Sequence, residues 1–139
     1  MKIAPYLHFN GDCAQALALY EEAFGAKADV MRYGDAPPSE GYAPPPGTED
    51  FIMHAQIVVG GAELMLCDLT PDMPASFGNG IAIHVTFDSE ARVDAAFGAL
   101  KEGGSVEMEP QETFWSKRFA SLADRFGVRW MLSVGCPEE

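Results

Sequence analysis

One pattern of strand, helix and three further strands occurs twice along the chain, and this repeat constrains the fold more than any other feature. Phe9 precedes Gly25 by sixteen residues, and Phe87 precedes Gly103 by sixteen as well. In both halves a glycine stands four residues before a Met-Leu pair. Half of such a repeat cannot bury its own sheet, so the halves must pack together or against a second chain. We therefore predict an α+β fold of two tandem βαβββ modules, whose curved, mostly antiparallel sheet surrounds a cavity.

The modules are expected at about residues 1–70 and 79–135. A chain of 139 residues is the size of one ordinary domain and can bury a substantial core. We therefore predict a single domain, 1–139, that contains both modules.

Hydrophobic periodicity gives the elements of the first module. A period of two predicts strands, and an apolar stripe of helical spacing predicts one helix at about 13–24. Asp12 is a suitable N-cap for that helix, Gly25 a suitable C-cap, and Gly60-Gly61 a hairpin turn. The predicted strands are 3–9, 28–33, 51–59 and 62–67.

The second module follows the same order. Asp88-Ser89 supplies a helix start, and the helix is predicted to run to about 102. The predicted strands are 81–87, 105–111, 117–124 and 128–134.

Residues 34–50 separate the second and third predicted strands of the first module. This segment contains Pro37, Pro38, Pro44, Pro45 and Pro46. Such a density of proline favours a stiff extended flap over regular structure. A loop of this length can act as a lid or binding loop, or it can have no role in binding. The sequence leaves these two alternatives open.

The charge balance excludes some classes of partner. The 21 acidic residues exceed the 9 basic ones and give a net charge of −12, which repels nucleic acid and anionic membranes. A cationic ligand would be attracted, although acidic surfaces also serve solubility. Three scattered cysteines favour reduced thiols, and the N-terminus shows no signal-peptide pattern. We expect a cytoplasmic protein without a membrane span.

Three segments together carry a family resemblance. They are PYLHFNGDCAQALALYEEAFG, FIMHAQIVVGGAELMLCD and ETFWSKRFASLADRFGVRWML. With the repeat, they closely resemble the vicinal oxygen chelate superfamily, also called the glyoxalase/bleomycin-resistance/dioxygenase fold. The runs TFWSKRF and DRFGVRW resemble its PhnB-like branch. The resemblance implies a homodimer and a cup-shaped sheet around a small-molecule site.

Metal-binding members of that superfamily carry His, Gln or Glu on the first and fourth strands of each module. The matching positions here are Ala4, Met65, Ala82 and Met131. Neither a methyl group nor a thioether suits zinc, iron or manganese. We therefore expect no metal and no cofactor, while a displaced metal site that uses His8 or His84 stays open as an alternative.

Ten residues form the predicted ligand site. Each also has a purely structural explanation. The histidines can form hydrogen bonds with neighbouring side chains, and Glu63 can form an ion pair with Arg129. Trp115, like Phe114 and Phe126, can fill a corner of the core. Cys67 is the thiol singled out for reactivity. The ten are Tyr6, His8, His54, Glu63, Met65, His84, Thr86, Trp115, Arg129 and Met131.

Two functional hypotheses follow. The first is a metal-independent small-molecule binding protein, with the ligand between apolar walls and fixed by Tyr6, His84 and Arg129. The alternative is an enzyme, similar to a lyase, isomerase or dioxygenase, with His8 or His84 as an acid–base group on a small oxygenated substrate. Motifs for dinucleotides, nucleotide phosphates or a nucleophilic serine elbow do not occur in the sequence.

Overall fold

Each half of the chain folds into one βαβββ module in the computed structural model, which describes residues 1–35 and 45–135. The chain divides into two units, Met1–Ser76 and Phe77–Glu139. The first unit contains β1 (Tyr6–Phe9), α1 (Cys13–Phe24), β2 (Ala28–Arg32), a 3₁₀ turn (Tyr33–Asp35), β3 (Ile52–Val59) and β4 (Ala62–Asp68). The second contains β5 (Ile83–Phe87), α2 (Glu90–Leu100), β6 (Ser105–Gln111), β7 (Phe119–Ala123) and β8 (Arg129–Val134).

The two sheets have the same topology. Their strand orders are β1-β4-β3-β2 and β5-β8-β7-β6. In each sheet the first and fourth strands of the module are parallel neighbours, and the other neighbours are antiparallel. The predicted α+β fold of two tandem, mostly antiparallel βαβββ modules is confirmed.

The core of the first unit lies between α1 and one face of its sheet. The helix packs on β3 and β4. Gly25 ends it in the left-handed conformation (φ 65°), and its N–H donates to the carbonyl of Glu21, as expected for a C-cap glycine. The buried apolar side chains include Leu7, Phe9, Leu17, Tyr20, Phe24, Ala55, Ile57, Leu64 and Leu66.

The start of α1 differs from the prediction. Asp12 occupies the N-cap position, but its side chain makes no capping hydrogen bond. The buried carboxylate of Asp68, at the end of β4, accepts instead from the N–H groups of Gly11 (2.8 Å) and Cys13 (2.9 Å). Its second oxygen accepts from the N–H of Ile52, at the start of β3 (2.9 Å). One carboxylate thus joins the first helix to two strands.

The second unit caps its helix locally. The hydroxyl of Ser89 accepts from the N–H of Arg92 at 3.2 Å. The helix ends at Leu100, two residues earlier than predicted. Within the described residues, no helix has the length and apolar character that crossing a bilayer requires.

The first strand of each module starts later than predicted. β1 begins at Tyr6 and β5 at Ile83, whereas the alternating pattern extends back to residues 3 and 81. Pro5 explains the first difference, because it has no N–H to donate to a sheet. Its carbonyl still accepts from the N–H of Met65 at 3.0 Å.

The segment between β2 and β3 is described only in part. Pro37, Pro38 and Pro44 lie outside the described residues, and so does most of the segment 34–50, so whether it acts as a lid is not tested. At its end, the hydroxyl of Thr48 donates to the carbonyl of Pro45 at 2.6 Å in a tight turn.

The connector after β4 is tied to the turn after β1. The amide of Asn10 donates to the carbonyl of Ala75 (3.0 Å) and accepts from its N–H (2.6 Å). This reciprocal pair holds the connector against the first unit. The connector therefore folds as part of that unit up to its boundary at Ser76.

Two glycines of the second unit should respond oppositely to alanine. A Cβ at Gly104 would lie 2.3 Å from the carbonyl oxygen of Ala123, so Gly104→Ala forces a backbone shift. We expect it to lower the free energy of unfolding by about 2 kcal/mol. A Cβ at Gly98, inside α2, meets nothing within 4 Å, and Gly98→Ala should stabilise by about 0.5–1 kcal/mol.

Urea denaturation of both variants checks this prediction. Equal effects of the two substitutions would contradict the close approach of the backbone at Gly104.

Candidate functional site

The first sheet carries a polar and aromatic face on the side away from its apolar core. Parallel pairing of β1 with β4 places Tyr6 opposite Met65 and His8 opposite Cys67. These side chains therefore share one face, while Leu7 and the alternate residues of β1 and β4 point into the core. We call the face of Tyr6, His8, Met65 and Cys67 the open face of the first sheet.

A hydrogen bond joins Tyr6 to His54 across the open face. The phenol oxygen lies 3.0 Å from Nδ1 of the imidazole, although the two residues are 48 positions apart in sequence. The rings of His8 and His54 meet the Tyr6 ring edge to face, at centroid distances of 5.2 and 5.7 Å. The structure thus brings three of the predicted site residues together around one phenol.

The environment keeps the phenol and a neighbouring thiol protonated. Burial raises the pKa of Tyr6, and nearby Cys67 adds to this effect. Burial also raises the pKa of Cys67, while a hydrogen bond with Tyr6 acts in the opposite direction. The phenol oxygen and Nδ1 of His54 share one hydrogen bond, and the tautomer of the imidazole sets which of the two donates. Cys67 is therefore a hydrogen-bonding thiol and a poor nucleophile near neutral pH.

Apolar side chains on the open face remain accessible. Tyr6 is 42% exposed, Met31 41% and Val58 53%. Met31 pairs with His54, and Val58 lies two residues beyond Gln56 on β3, so both share the face of Tyr6. Exposed apolar groups beside fixed hydrogen-bonding groups are typical of binding surfaces.

The second sheet has a corresponding face. Pairing of β5 with β8 places His84 opposite Met131 and Thr86 opposite Ser133. Nε2 of His84 lies 2.8 Å from the hydroxyl oxygen of Ser133. His84 and Thr86 are exposed, whereas Ser133 is buried.

The two charged candidates have separate partners. Glu63 forms an ion pair with Lys2 at 2.5 Å. The guanidinium of Arg129 makes two hydrogen bonds to the carboxylate of Glu107, at 2.6 and 3.1 Å, and a third to the carbonyl of Asn79 at 2.7 Å. The predicted ion pair between Glu63 and Arg129 is replaced by these two pairs, each inside its own unit.

The aromatic candidates of the second unit form a surface cluster. Phe114 is largely exposed, and Trp115 is half exposed. Trp115 packs edge to face on Phe114 (4.7 Å between centroids) and on Phe119 (5.4 Å). Phe126 lies under the guanidinium of Arg125 at 4.8 Å. A role of Trp115 in stacking on a ligand stays a prediction.

The positions at which the superfamily resemblance implies metal ligands do not suit a metal. Ala4 and Ala82 precede the first strand of each sheet, and Met65 and Met131 offer only thioethers. Within residues 1–35 and 45–135, no three His, Cys, Asp or Glu side chains are arranged to hold one ion. The donor set therefore does not fit zinc or iron at these positions.

Sequence reasoning missed the hydrogen-bonded pairs. Tyr6–His54 depends on the order of strands across the sheet, which periodicity does not report. Ser133 was missed although a signal existed. The repeat aligns Met65 with Met131, and two residues further it aligns Cys67 with Ser133.

Comparison with known proteins places this geometry in a family. Residues 2–132 match the sequence profile of the Glyoxalase/Bleomycin resistance protein/Dioxygenase superfamily. Protein YjdN of Escherichia coli (strain K12) is 32% identical over 141 residues, which cover 96% of this chain and 95% of YjdN.

Two solved structures have a similar fold and sequence. PA1353 from Pseudomonas aeruginosa superposes with a TM-score of 0.82 at 39% identity, and 97% of this chain and 98% of that one are covered. The PhnB protein from Bacillus cereus gives a TM-score of 0.74 at 26% identity, with 97% and 100% covered. The resemblance to the PhnB-like branch is confirmed. Because the profile spans nearly the whole sequence, the chain belongs to the glyoxalase/bleomycin resistance protein/dioxygenase superfamily.

Proposed function

We propose that this protein is a metal-independent small-molecule binding protein whose ligand contacts the open face of the first sheet. The observation that carries the proposal is the hydrogen bond between Tyr6 and His54, on a face where the phenol remains 42% exposed. A phenol held by an imidazole keeps one orientation and loses little entropy when it contacts a ligand.

The side chains of the open face suggest the chemistry of the ligand. The phenol and the imidazoles of His8 and His54 supply hydrogen-bond donors and acceptors, while Met31 and Val58 supply apolar contact. Small-molecule sites combine apolar walls with a few fixed polar groups in this way. A ligand with a flat apolar part and one or two oxygen or nitrogen atoms fits such a face.

Charge favours a neutral or cationic ligand. The chain has a net charge of −12, which lowers the local concentration of anions. Arg129, the one cation among the ten predicted site residues, is held by Glu107 and by the carbonyl of Asn79. An anionic ligand would therefore compete with an existing ion pair.

Metal independence rests on the chemistry of the donors. Thioethers and methyl groups stand at the positions where the superfamily resemblance implies hard-metal ligands. Binding of the ligand should therefore be unchanged after the protein has been treated with EDTA. Stoichiometric zinc, iron or manganese in the purified protein, found by plasma mass spectrometry, would contradict the proposal.

We extend the proposal to a homodimer in the cytoplasm. The superfamily resemblance supports the dimer, and the two free cysteines of the described residues, Cys13 and Cys67, suit a reducing compartment. Sedimentation velocity tests the dimer, because a chain of 15.0 kDa would sediment with twice that mass.

A thermal-shift screen followed by titration tests the binding site. We expect small oxygenated aromatic or heterocyclic compounds to raise the melting temperature. The substitution Tyr6→Phe removes one hydrogen bond to the ligand. It should raise the Kd of such a compound about tenfold, because one bond contributes about 1.4 kcal/mol. Isothermal titration calorimetry measures this change.

Thr113→Val is the control, since it removes a hydroxyl that donates to the carbonyl of Ser116 at 3.4 Å, in the other unit. It should leave the Kd within twofold. Equal weakening by both substitutions, or none by either, would place the ligand elsewhere.

A further inference from the structure

The hydrogen bond between His84 and Ser133 joins an imidazole to a hydroxyl that no sequence motif singled out. Nε2 lies 2.8 Å from the hydroxyl oxygen, within the range in which an imidazole activates a serine. This pair is the observation that favours a chemical activity. It belongs to the second unit and does not depend on the open face of the first sheet.

The strands hold the two side chains in place. Ser133 is 6% exposed and lies on β8, which has β5 on one side and β7 on the other. Thr86 and Phe119 are its neighbours across the sheet. His84 is exposed, so a molecule from solvent can reach the imidazole, and the hydroxyl oxygen of buried Ser133 lies 2.8 Å from Nε2.

We infer that Ser133 is a nucleophile and His84 its general base, and that the pair accepts acyl groups from small activated esters, and phosphonyl groups from phosphonyl fluorides with loss of fluoride and a proton. As the hydroxyl oxygen attacks the ester carbonyl, Nε2 of His84 takes the hydroxyl proton. The bond to the leaving alkoxide then breaks, and the alkoxide takes the proton from Nε2. The products are the ester of Ser133 and a free alcohol, so atoms and charge balance.

The surroundings limit both substrate and turnover. Phe119 and Met131 flank the pair and favour an apolar acyl group over a charged one. Within the described residues, His84 makes one hydrogen bond, to Ser133. No carboxylate there orients the imidazole ring. Triads depend on such a carboxylate for rapid turnover. We therefore expect stoichiometric acylation and slow release of the acyl group.

Labelling with a fluorophosphonate probe, followed by peptide mapping, tests the inference. We expect one label per chain, on Ser133, and a burst of about one equivalent of nitrophenolate from p-nitrophenyl acetate. His84→Gln, at an exposed position, should keep the fold and slow labelling about a hundredfold. Ser133→Ala should abolish the burst with an unchanged circular dichroism spectrum.

Ser121→Ala is the matched control, because Ser121 lies on β7 opposite Met131 and is buried to a similar degree. Labelling should persist in this variant at the wild-type rate. Absence of an adduct at Ser133 in the folded protein, or an unchanged rate in His84→Gln, would overturn the inference. Neither result would affect ligand binding at Tyr6, so the two proposals fail separately.

Discussion

Replacing Asp68 with alanine is expected to lower the free energy of unfolding by about 4 kcal/mol. The carboxylate is 1% exposed and accepts from the N–H groups of Gly11, Cys13 and Ile52. Without it, these donors lose a charged acceptor where little water can replace it, at about 1–3 kcal/mol each. Urea denaturation followed by circular dichroism measures the loss.

Asp12→Ala is the control for Asp68→Ala. It removes a different carboxylate near the start of α1. The carboxylate of Asp12 accepts one hydrogen bond within the described residues, from the N–H of Asn10 at 3.1 Å. Its removal should cost less than about 1 kcal/mol. Hydrogen exchange adds a local measurement, since the amides of Cys13 and Ile52 should lose protection only in Asp68→Ala. Similar losses of stability in the two variants would show that Asp68 does not hold the helix start.

Replacing Asp124 with alanine is expected to lower the free energy of unfolding by about 3 kcal/mol. This buried carboxylate accepts from the N–H groups of Phe126 (2.9 Å) and Val128 (3.1 Å) and from the indole N–H of Trp130 (2.9 Å). Trp130 is fully buried, so its indole N–H has no access to solvent once the carboxylate is gone. Tryptophan fluorescence during denaturation follows the unit that contains this residue.

A double-mutant cycle with Trp130→Phe isolates the indole bond. The two substitutions together should cost less than the sum of their separate effects by about 1–2 kcal/mol. Glu102→Ala, at an exposed acidic position after α2, is the control and should change stability by less than about 0.5 kcal/mol. Full additivity would contradict the bond between Asp124 and Trp130.

Local patterns predicted most of the fold. The bounds of β6 agree with the prediction to the residue, and Gly60 lies in the predicted hairpin with a φ of 61°. Alternation gave the faces of Tyr6 and His8 correctly, because period two is a local property of a strand. The helices were predicted from apolar stripes that pack on the sheets, which is also a local property.

The parts that were missed depend on residues far apart in sequence. Asp68 replaces Asp12 at the start of α1 from 55 positions away, and no local rule reports such a partner. Arg129 meets Glu107 because β6 and β8 both flank β7, an order that needs the whole module. Alternation put Tyr6, His8 and His84 on the sheet faces that the structure shows, but it did not predict the hydrogen bonds of Tyr6 and His84.

The two ways of capping the helices have a consequence for the order of folding. α2 receives its cap from Ser89, the residue that immediately precedes it, so its first turn can be completed as soon as it leaves the ribosome. α1 needs Asp68, which is synthesised 55 residues after Cys13. Closing so long a loop has an entropic cost that local contacts do not offset. The N-terminal helix is therefore completed only after the last strand of its own module has been synthesised and paired.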